Sequence, residues 1–424
     1  MKVVSLRRNF LWSFVGNTAY NVVQWLLLVV LARVGNPTLV GEFAAMLAIT
    51  APIYMTLGLN LRVVRATDVR RVWSSGQYYR LRGVLNVVSL LVAMLVGVLF
   101  GLRGDVLLAL FILAMGKSVE ATSLMIYGYF QCRERLDLVA RSLLLRAATG
   151  AGGFVVLLTV TRRLEAAVLG LLLGWSAVWL LHDRPQERLL LQNDVEAARI
   201  DGVEVAGGGT LTSLARQAAP LGIDAGVNSL STNVPRYAVQ LALGTAQLGA
   251  FVTLAYAAQI VSTVTGTLGD TVVGRLAKHV ERGDSAAFVS LLAKLVAFGL
   301  VVALVGSVTA WSLGDWAIRL VLGDDYVNRP VLVILMLGAA AITVQRSLAR
   351  GLQAALKFRQ VLAVDVVILV ATVVLSLALV PSFGLVGAAA TLGLGYLTGI
   401  GLSMALLARV VTEVRAKPQS MVVR

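Results

Sequence analysis

Four polar residues, Asp224, Asn228, Thr232 and Arg236, recur every four positions in an otherwise apolar stretch. That spacing draws one slowly winding stripe along a helix, with Ser231 beside it. The guanidinium of Arg236 is suited to charge-assisted, often bidentate bonds with phosphate oxygens. The carboxyl of Asp224 is the kind of group that carries a coupling proton or ion, the alternative being a structural role near the inner end of its helix. Twelve residues, roughly 18 Å, separate the two, so they cannot pair within one helix. Pro235 removes a backbone N–H four residues after Ser231, which favours a kink and a hinge beside Arg236. Near the start of the chain Ser13, Asn17, Asn21 and Gln24 form a second stripe. Lys117 and Glu120 stand at i, i+3 and can neutralise each other or serve a substrate or ion. Arg146 and Asp270 are the remaining candidate cation and carboxylate, and both Arg146 and Arg236 have snorkelling to an interface as the alternative to a cavity.

The elements that hold these residues are membrane helices. Of 424 residues 58% are hydrophobic and 14% charged, with a mean hydropathy of +0.84, more apolar than a soluble core requires. Apolar runs long enough to span lie at about 10–33, 38–60, 84–103, 105–130, 138–160 and 164–182, then at about 213–243, 246–273, 286–313, 330–355, 360–381 and 385–410. Twelve helices are expected. The first is too long for a cleavable signal core and runs directly into a second span. Polar stripes in such helices must face the bundle interior or water.

The net charge of +15 has its source in topology. With the N-terminus inside, the inner segments hold 28 Lys and Arg and the outer loops 6, which puts both termini in the cytoplasm. No soluble stretch is large enough for a nucleic-acid reader. The single cysteine, Cys132, excludes an intrachain disulfide, and two histidines make no zinc site. No P-loop is present, so no ATP hydrolysis is expected of this chain; no cofactor is expected either, and where transport is coupled, an H+ or Na+ gradient or the substrate's own supplies the energy. Gly393, Gly395 and Gly399 lie inside an apolar span and, like Gly97 with Gly101 and Gly170 with Gly174, read as helix-packing positions. Trp12, Trp25, Trp175 and Trp179 read as packing or interfacial residues rather than sugar platforms.

The chain divides into two related halves. "TLVGEFAAMLAI" aligns with "AQLGAFVTLAYA", and Gly41, Phe43 and Gly58 stand 208 positions before Gly249, Phe251 and Gly266. Gly128 lies opposite Gly351 and Gly174 opposite Gly395. Two parallel six-helix lobes are expected, at 1–182 and 213–424, joined by a polar cytoplasmic linker at 183–212. The short outer loops leave little room for a membrane glycosyltransferase or polymerase site.

The stretches "LARVGNPTLVGEFAAMLAI", "VPRYAVQLALGTAQLGAFVTLAYA", "LGDDYVNRPVLVILMLG" with "ARGLQAALKFRQ", and "ALVPSFGLVGAAATLGLGYL" carry a resemblance over nearly the whole chain. They resemble the polysaccharide and oligosaccharidyl-lipid flippases, O-antigen flippases among them, of the multidrug/oligosaccharidyl-lipid/polysaccharide exporter superfamily. That resemblance implies an all-α bundle of two lobes around a V-shaped cavity, with no enzymatic activity, in the cytoplasmic (inner) membrane. It implies a polyprenyl-phosphate or polyprenyl-pyrophosphate oligosaccharide as substrate, turned from the inner to the outer leaflet for lipopolysaccharide or other surface glycan. Other glycan-assembly membrane proteins are the implied partners. On this reading Arg236, Arg146, Lys117, Asn228, Thr232, Asn17, Asn21 and Gln24 are the expected cavity residues, and Asp224, Glu120 and Asp270 the expected coupling carboxylates. The alternative is a cation-coupled multidrug antiporter of the same superfamily, in which unpaired carboxylates would matter more than arginines.

Overall fold

The computed structural model describes residues 6–68, 71–200 and 208–415. Backbone alone is described at 6–11 and 13, at 195–200, and at 257 and 260–271. Every regular element among the described residues is a helix, with no strand. They form two compact units, Met1–Ser229 and Leu230–Arg424.

The first unit holds α1 (Leu6–Val34), α2 (Pro37–Thr56), a short α3 (Leu61–Thr67), α4 (Ser75–Leu99), α5 (Gly104–Cys132), α6 (Leu136–Thr161), α7 (Leu164–Val178) and α8 (Arg184–Ile200), with a single π turn, Trp179–Asp183, between α7 and α8. It also takes the first half of α9 (Leu211–Leu243), the helix in which the two units divide. The second unit continues with the rest of α9, α10 (Thr245–Glu281), α11 (Ser285–Val321), a 3₁₀ turn (Asp324–Tyr326), α12 (Arg329–Ala354) and α13 (Phe358–Arg415). At Gly384 α13 breaks (φ 58°, ψ −135°), a conformation that only glycine adopts without strain, so it supplies two spans. With α7 and α8 counted as one through the π turn, each half of the chain thus contributes six long helices, twelve in all among the described residues. Among the described residues nine stretches, the whole of α13 counted as one, are long and apolar enough to cross a membrane. The chain is a multi-pass membrane protein.

Caps set the ends. Asn36 accepts the Leu39 N–H at 2.9 Å with Pro37 at the first helical position, which starts α2. Ser74 and Gln77 make a reciprocal capping box, and α4 therefore begins at Ser75, well before the apolar run at 84. The span expected at 38–60 stops at Thr56, because Leu59 and Asn60 turn to positive φ (49° and 45°). Similarly, α11 continues past 313 to Val321, through Asp315.

Small residues set the packing. A Cβ on Gly153 would meet the Gly170 carbonyl at 2.7 Å, and one on Gly174 would meet the Gly150 nitrogen at 2.6 Å, so α6 and α7 cross backbone against backbone. In the second unit Gly393 faces Gly338, with 3.2 Å from its Cβ position to the Gly338 Cα. Gly395 and Gly399 close on Thr372 and Ile368. Gly170, Gly174, Gly393, Gly395 and Gly399 pack helices as their setting predicted, whereas Gly101 lies past the end of α4 at φ 78° with nothing within 4 Å of its Cβ position and turns the chain instead.

The interval expected as a linker is different. From Arg184 to Ile200 it is helical, and Glu187 on it is 1% exposed. Its charges look like those of a solvated tether, but several are paired inside the first unit.

Candidate functional site

In the second unit the C-terminal half of α9 presents Arg236 to α10. Its Nη1 donates to Asn233 Oδ1 at 3.0 Å, and the guanidinium lies 5.7 Å from the Tyr256 ring centroid. Thr232 and Arg236 line a small cavity of about 40 Å³ with Gln259, Phe251, Leu335 and Leu392, walled by α10, α12 and α13. Arg236 is half-buried. It is held by an aromatic face and an amide inside the unit while bordering this small cavity, an arrangement that can offer N–H groups to an anionic oxygen. Asn233, Tyr256 and Gln259 escaped the sequence reading. Asn233 had a signal, since it stands three residues before Arg236 on the same helix face; Tyr256 and Gln259 come from another helix and had none.

Asp224 and Asn228, both half-buried, lie on the part of α9 that belongs to the first unit. The stripe read from sequence is therefore shared between units: Asp224 and Asn228 with one, Thr232 and Arg236 with the other. Pro235 is buried within the unbroken run of α9. Asp270 lies outside the described side chains, as does Ser13.

The first unit collects the other charged candidates in a separate place. Lys117 Nζ and Glu120 Oε2 pair at 2.8 Å on α5. Tyr20 of α1 donates to the other oxygen of Glu120 at 2.7 Å. Lys117 Nζ and the Arg146 guanidinium each lie 5.4 Å from the Trp175 ring centroid. Arg146 is 1% exposed and lies within electrostatic reach of Tyr127, Tyr20, Glu120 and the fully buried Asp183. Asp183 Oδ1 lies 3.1 Å from His182 Nδ1 in the π turn. Two cations and two carboxylates thus interact within one packed cluster. Burial this complete leaves Arg146 no path to snorkel. Tyr20, Trp175 and Asp183 join the cluster from α1, α7 and the π turn. Of these only Trp175 stood out in sequence, as a packing residue. On α1 itself, Asn17 and Gln24 are half-buried and Asn21 is exposed.

No group of three or more metal-ligating side chains occurs among the described residues. No family model matches the chain. Capsular polysaccharide biosynthesis protein CapF of Staphylococcus aureus is 25% identical over 336 residues, 78% of this chain and 81% of that protein. Among solved structures, an inward-facing multidrug resistance MATE family transporter of the MOP superfamily superposes with a TM-score of 0.72 at 10% identity, covering 95% of this chain and 98% of that one. The lipid II flippase MurJ in an inward closed conformation superposes with a TM-score of 0.69 at 13% identity, covering 96% and 90%. A MATE transporter of Vibrio cholerae, VcmN, gives 0.66 at 13% identity over 98% and 97%. Twelve long helices in two units, matched along nearly their whole length, give this chain the fold of the MOP-superfamily membrane transporters.

Proposed function

We propose that the protein is a flippase that carries a polyprenyl-phosphate or polyprenyl-pyrophosphate oligosaccharide from the cytoplasmic to the outer leaflet, for a cell-surface polysaccharide. The observation that carries this reading is Arg236, docked on Tyr256 and Asn233 at the edge of a cavity. A carrier phosphate is the ligand such a guanidinium suits, and Thr232 and Gln259 beside it have the hydroxyl and amide groups that hydrogen-bond anions and sugars. The likeness to a capsular polysaccharide biosynthesis protein agrees with that substrate class. The likeness in fold to a lipid II flippase agrees with a lipid-linked cargo. Asn17, Asn21 and Gln24 of α1 and Asn228 of α9 are the residues to read the glycan. Asp224 is the coupling carboxylate this reading favours over Glu120, because Glu120 already answers Lys117 and Tyr20. Arg146 and Lys117 then balance the first unit's carboxylates rather than touch the headgroup. The protein acts as a transporter and not an enzyme, in the cytoplasmic membrane with both termini inside, as its Lys and Arg distribution favours.

The test is deletion of the gene in its source cell, with mass spectrometry of extracted lipids. An accumulated lipid-linked oligosaccharide with loss of a surface glycan is expected, restored by the wild-type gene. Unchanged lipid-linked sugars together with new sensitivity to cationic dyes would point instead to a drug antiporter.

A further inference from the structure

The chain after α3 folds back on itself through one carboxylate. Asp68 accepts the Val72 N–H at 2.8 Å and the Trp73 N–H at 3.3 Å, and the Tyr78 hydroxyl donates to it at 3.2 Å. The start of α9 is stapled to this loop. Gly209 donates its N–H to the Val72 carbonyl at 3.0 Å and accepts the Gln77 amide, and the Trp73 indole N–H donates to Ser213 Oγ at 3.0 Å. Ser213 and Thr210 cap α9 reciprocally, the backbone N–H of each donating to the hydroxyl of the other. All of these residues belong to the first unit.

Between loop and helix lies a cavity of about 440 Å³, inside the range of about 300–1,000 Å³ that small-molecule sites occupy. Val64, Val72 and the Trp73 ring give it an apolar wall, and Thr67, Asp68, Ser213 and Gln217 give it polar atoms. Trp73 is 8% exposed and meets Tyr78 edge to face with 6.5 Å between ring centroids, which fixes the wall. Ser213 and Gln217 stand four apart and share a face of α9. The Gln217 side chain is exposed and bonds to no described residue. The Thr67 hydroxyl donates within its own helix, to Val63 or Val64, and keeps its lone pairs. Charge narrows the ligand further. Asp68 is the one charged residue in the described lining, and the neighbouring arginines are already taken, Arg65 by Glu187 at 2.5 Å and Arg71 by Asp194 at 2.6 Å. A phosphate finds no described cation in this wall. A sugar ring matches it, having C–H faces for the aromatic and aliphatic side and hydroxyls for a carboxylate, an amide and two alcohols.

We propose that this cavity is a carbohydrate subsite, on the side that the Lys and Arg count places in the cytoplasm, and that it takes a sugar of the lipid-linked glycan. Gln217 both donates to and accepts from sugar hydroxyls, Asp68 and Thr67 accept from them, and the wall of Val64, Val72 and Trp73 takes the C–H face. The subsite reads hydroxyl pattern and not the phosphate. It adds to Asn17, Asn21, Gln24 and Asn228 a glycan contact outside the two polar stripes. The proposal rests on the flippase reading for the source of its ligand.

The test uses the whole protein in nanodiscs and oligosaccharides released by partial acid hydrolysis from the source cell's surface polysaccharide. Binding is read by saturation-transfer difference NMR. Transfer to sugar protons is expected with the wild type. Gln217→Leu and Thr67→Val, both at exposed positions, should each weaken binding about three- to tenfold. Val72→Trp, which fills the hollow from a position 40% exposed, should abolish it. Gln192→Leu, at an exposed glutamine of α8 outside the lining, should bind as the wild type does, and gel filtration checks that all four variants are folded. No transfer with the wild type, or equal transfer with wild type and Val72→Trp, would overturn the proposal. So would binding of uridine monophosphate in place of the oligosaccharides, which would make the cavity a nucleotide site. The lipid analysis of the deletion strain is a separate measurement. Accumulated lipid-linked oligosaccharide without binding here sinks the subsite alone, and unchanged lipids with binding here sink the flippase reading and the ligand's source with it.

Discussion

Arg236 and the Lys117–Glu120 pair show how differently two charged sites in one bundle behave. Arg236 keeps a side open to a cavity, so Arg236→Ala removes a ligand and strands no carboxylate among the described residues. A charge-assisted hydrogen bond contributes about 1.5–3 kcal/mol, and tenfold in rate corresponds to about 1.4 kcal/mol. Flipping, measured as surface glycan restored to a deletion strain, should fall by about 10- to 100-fold, with Arg236→Lys in between because a point charge replaces the planar fork. Wild-type complementation by Arg236→Ala would sink the headgroup assignment. For the pair, whose side chains are 20% and 15% exposed, Lys117→Met alone takes from Glu120 its directly bonded counter-charge and leaves it the Tyr20 hydroxyl and the more distant Arg146 guanidinium. Breaking a buried pair from one side costs about 3–5 kcal/mol, whereas removing both charges is often close to neutral. Lys117→Met should therefore lower the thermal unfolding midpoint in detergent more than the Lys117→Met/Glu120→Gln double variant does. The reverse order would mean that the two charges are not matched to each other.

Helix crossings are where the small residues act. α6 and α7 meet with Gly150 and Gly153 against Gly170 and Gly174, and Gly170→Leu would force backbones apart rather than move a flexible side chain. Overpacking of this kind costs about 1–3 kcal/mol or more. Folded yield and unfolding midpoint should drop for Gly170→Leu and remain near wild type for Gly152→Leu, whose Cβ position meets nothing within 4 Å. Equal loss in both variants would exclude close packing as the reason for glycine. On α4 and α11 the helices extend past their apolar runs because capping and continued backbone bonding, not hydropathy, set their ends.

For the molecule as a whole, the charge distribution predicts an orientation and the helix arrangement gives the fold. The 28 to 6 division of Lys and Arg predicts that a reporter active only in the cytoplasm works when fused after Arg415 and fails when inserted at Asp325, between α11 and α12. The opposite pattern would invert every inside and outside assignment. Identities of 10–13% with TM-scores of 0.66 to 0.72 show that the fold tolerates near-total replacement of side chains, as expected when apolar helices and small crossing residues suffice to specify it.

The sequence by itself determined what depends on neighbours along the chain. Hydropathy runs of about 20 residues located the helices, including the two arms of α13 on either side of Pro381 and Gly384. A spacing of three residues paired Lys117 with Glu120, and a spacing of four drew the stripe from Asp224 to Arg236. Tertiary structure alone decided which faces meet. Tyr20 reaches Glu120 across 100 residues and Gln77 reaches Gly209 across 132. Arg146 is sealed against Trp175, Arg236 is seated on Tyr256, and the polar stretch after Asp183 is a docked helix instead of a tether. Periodicity reports that a face is polar, but a charge bound for water and a charge bound for a buried partner on another helix have the same pattern in one dimension. Only the packed chain, where desolvation must be balanced by a specific opposite charge, separates them.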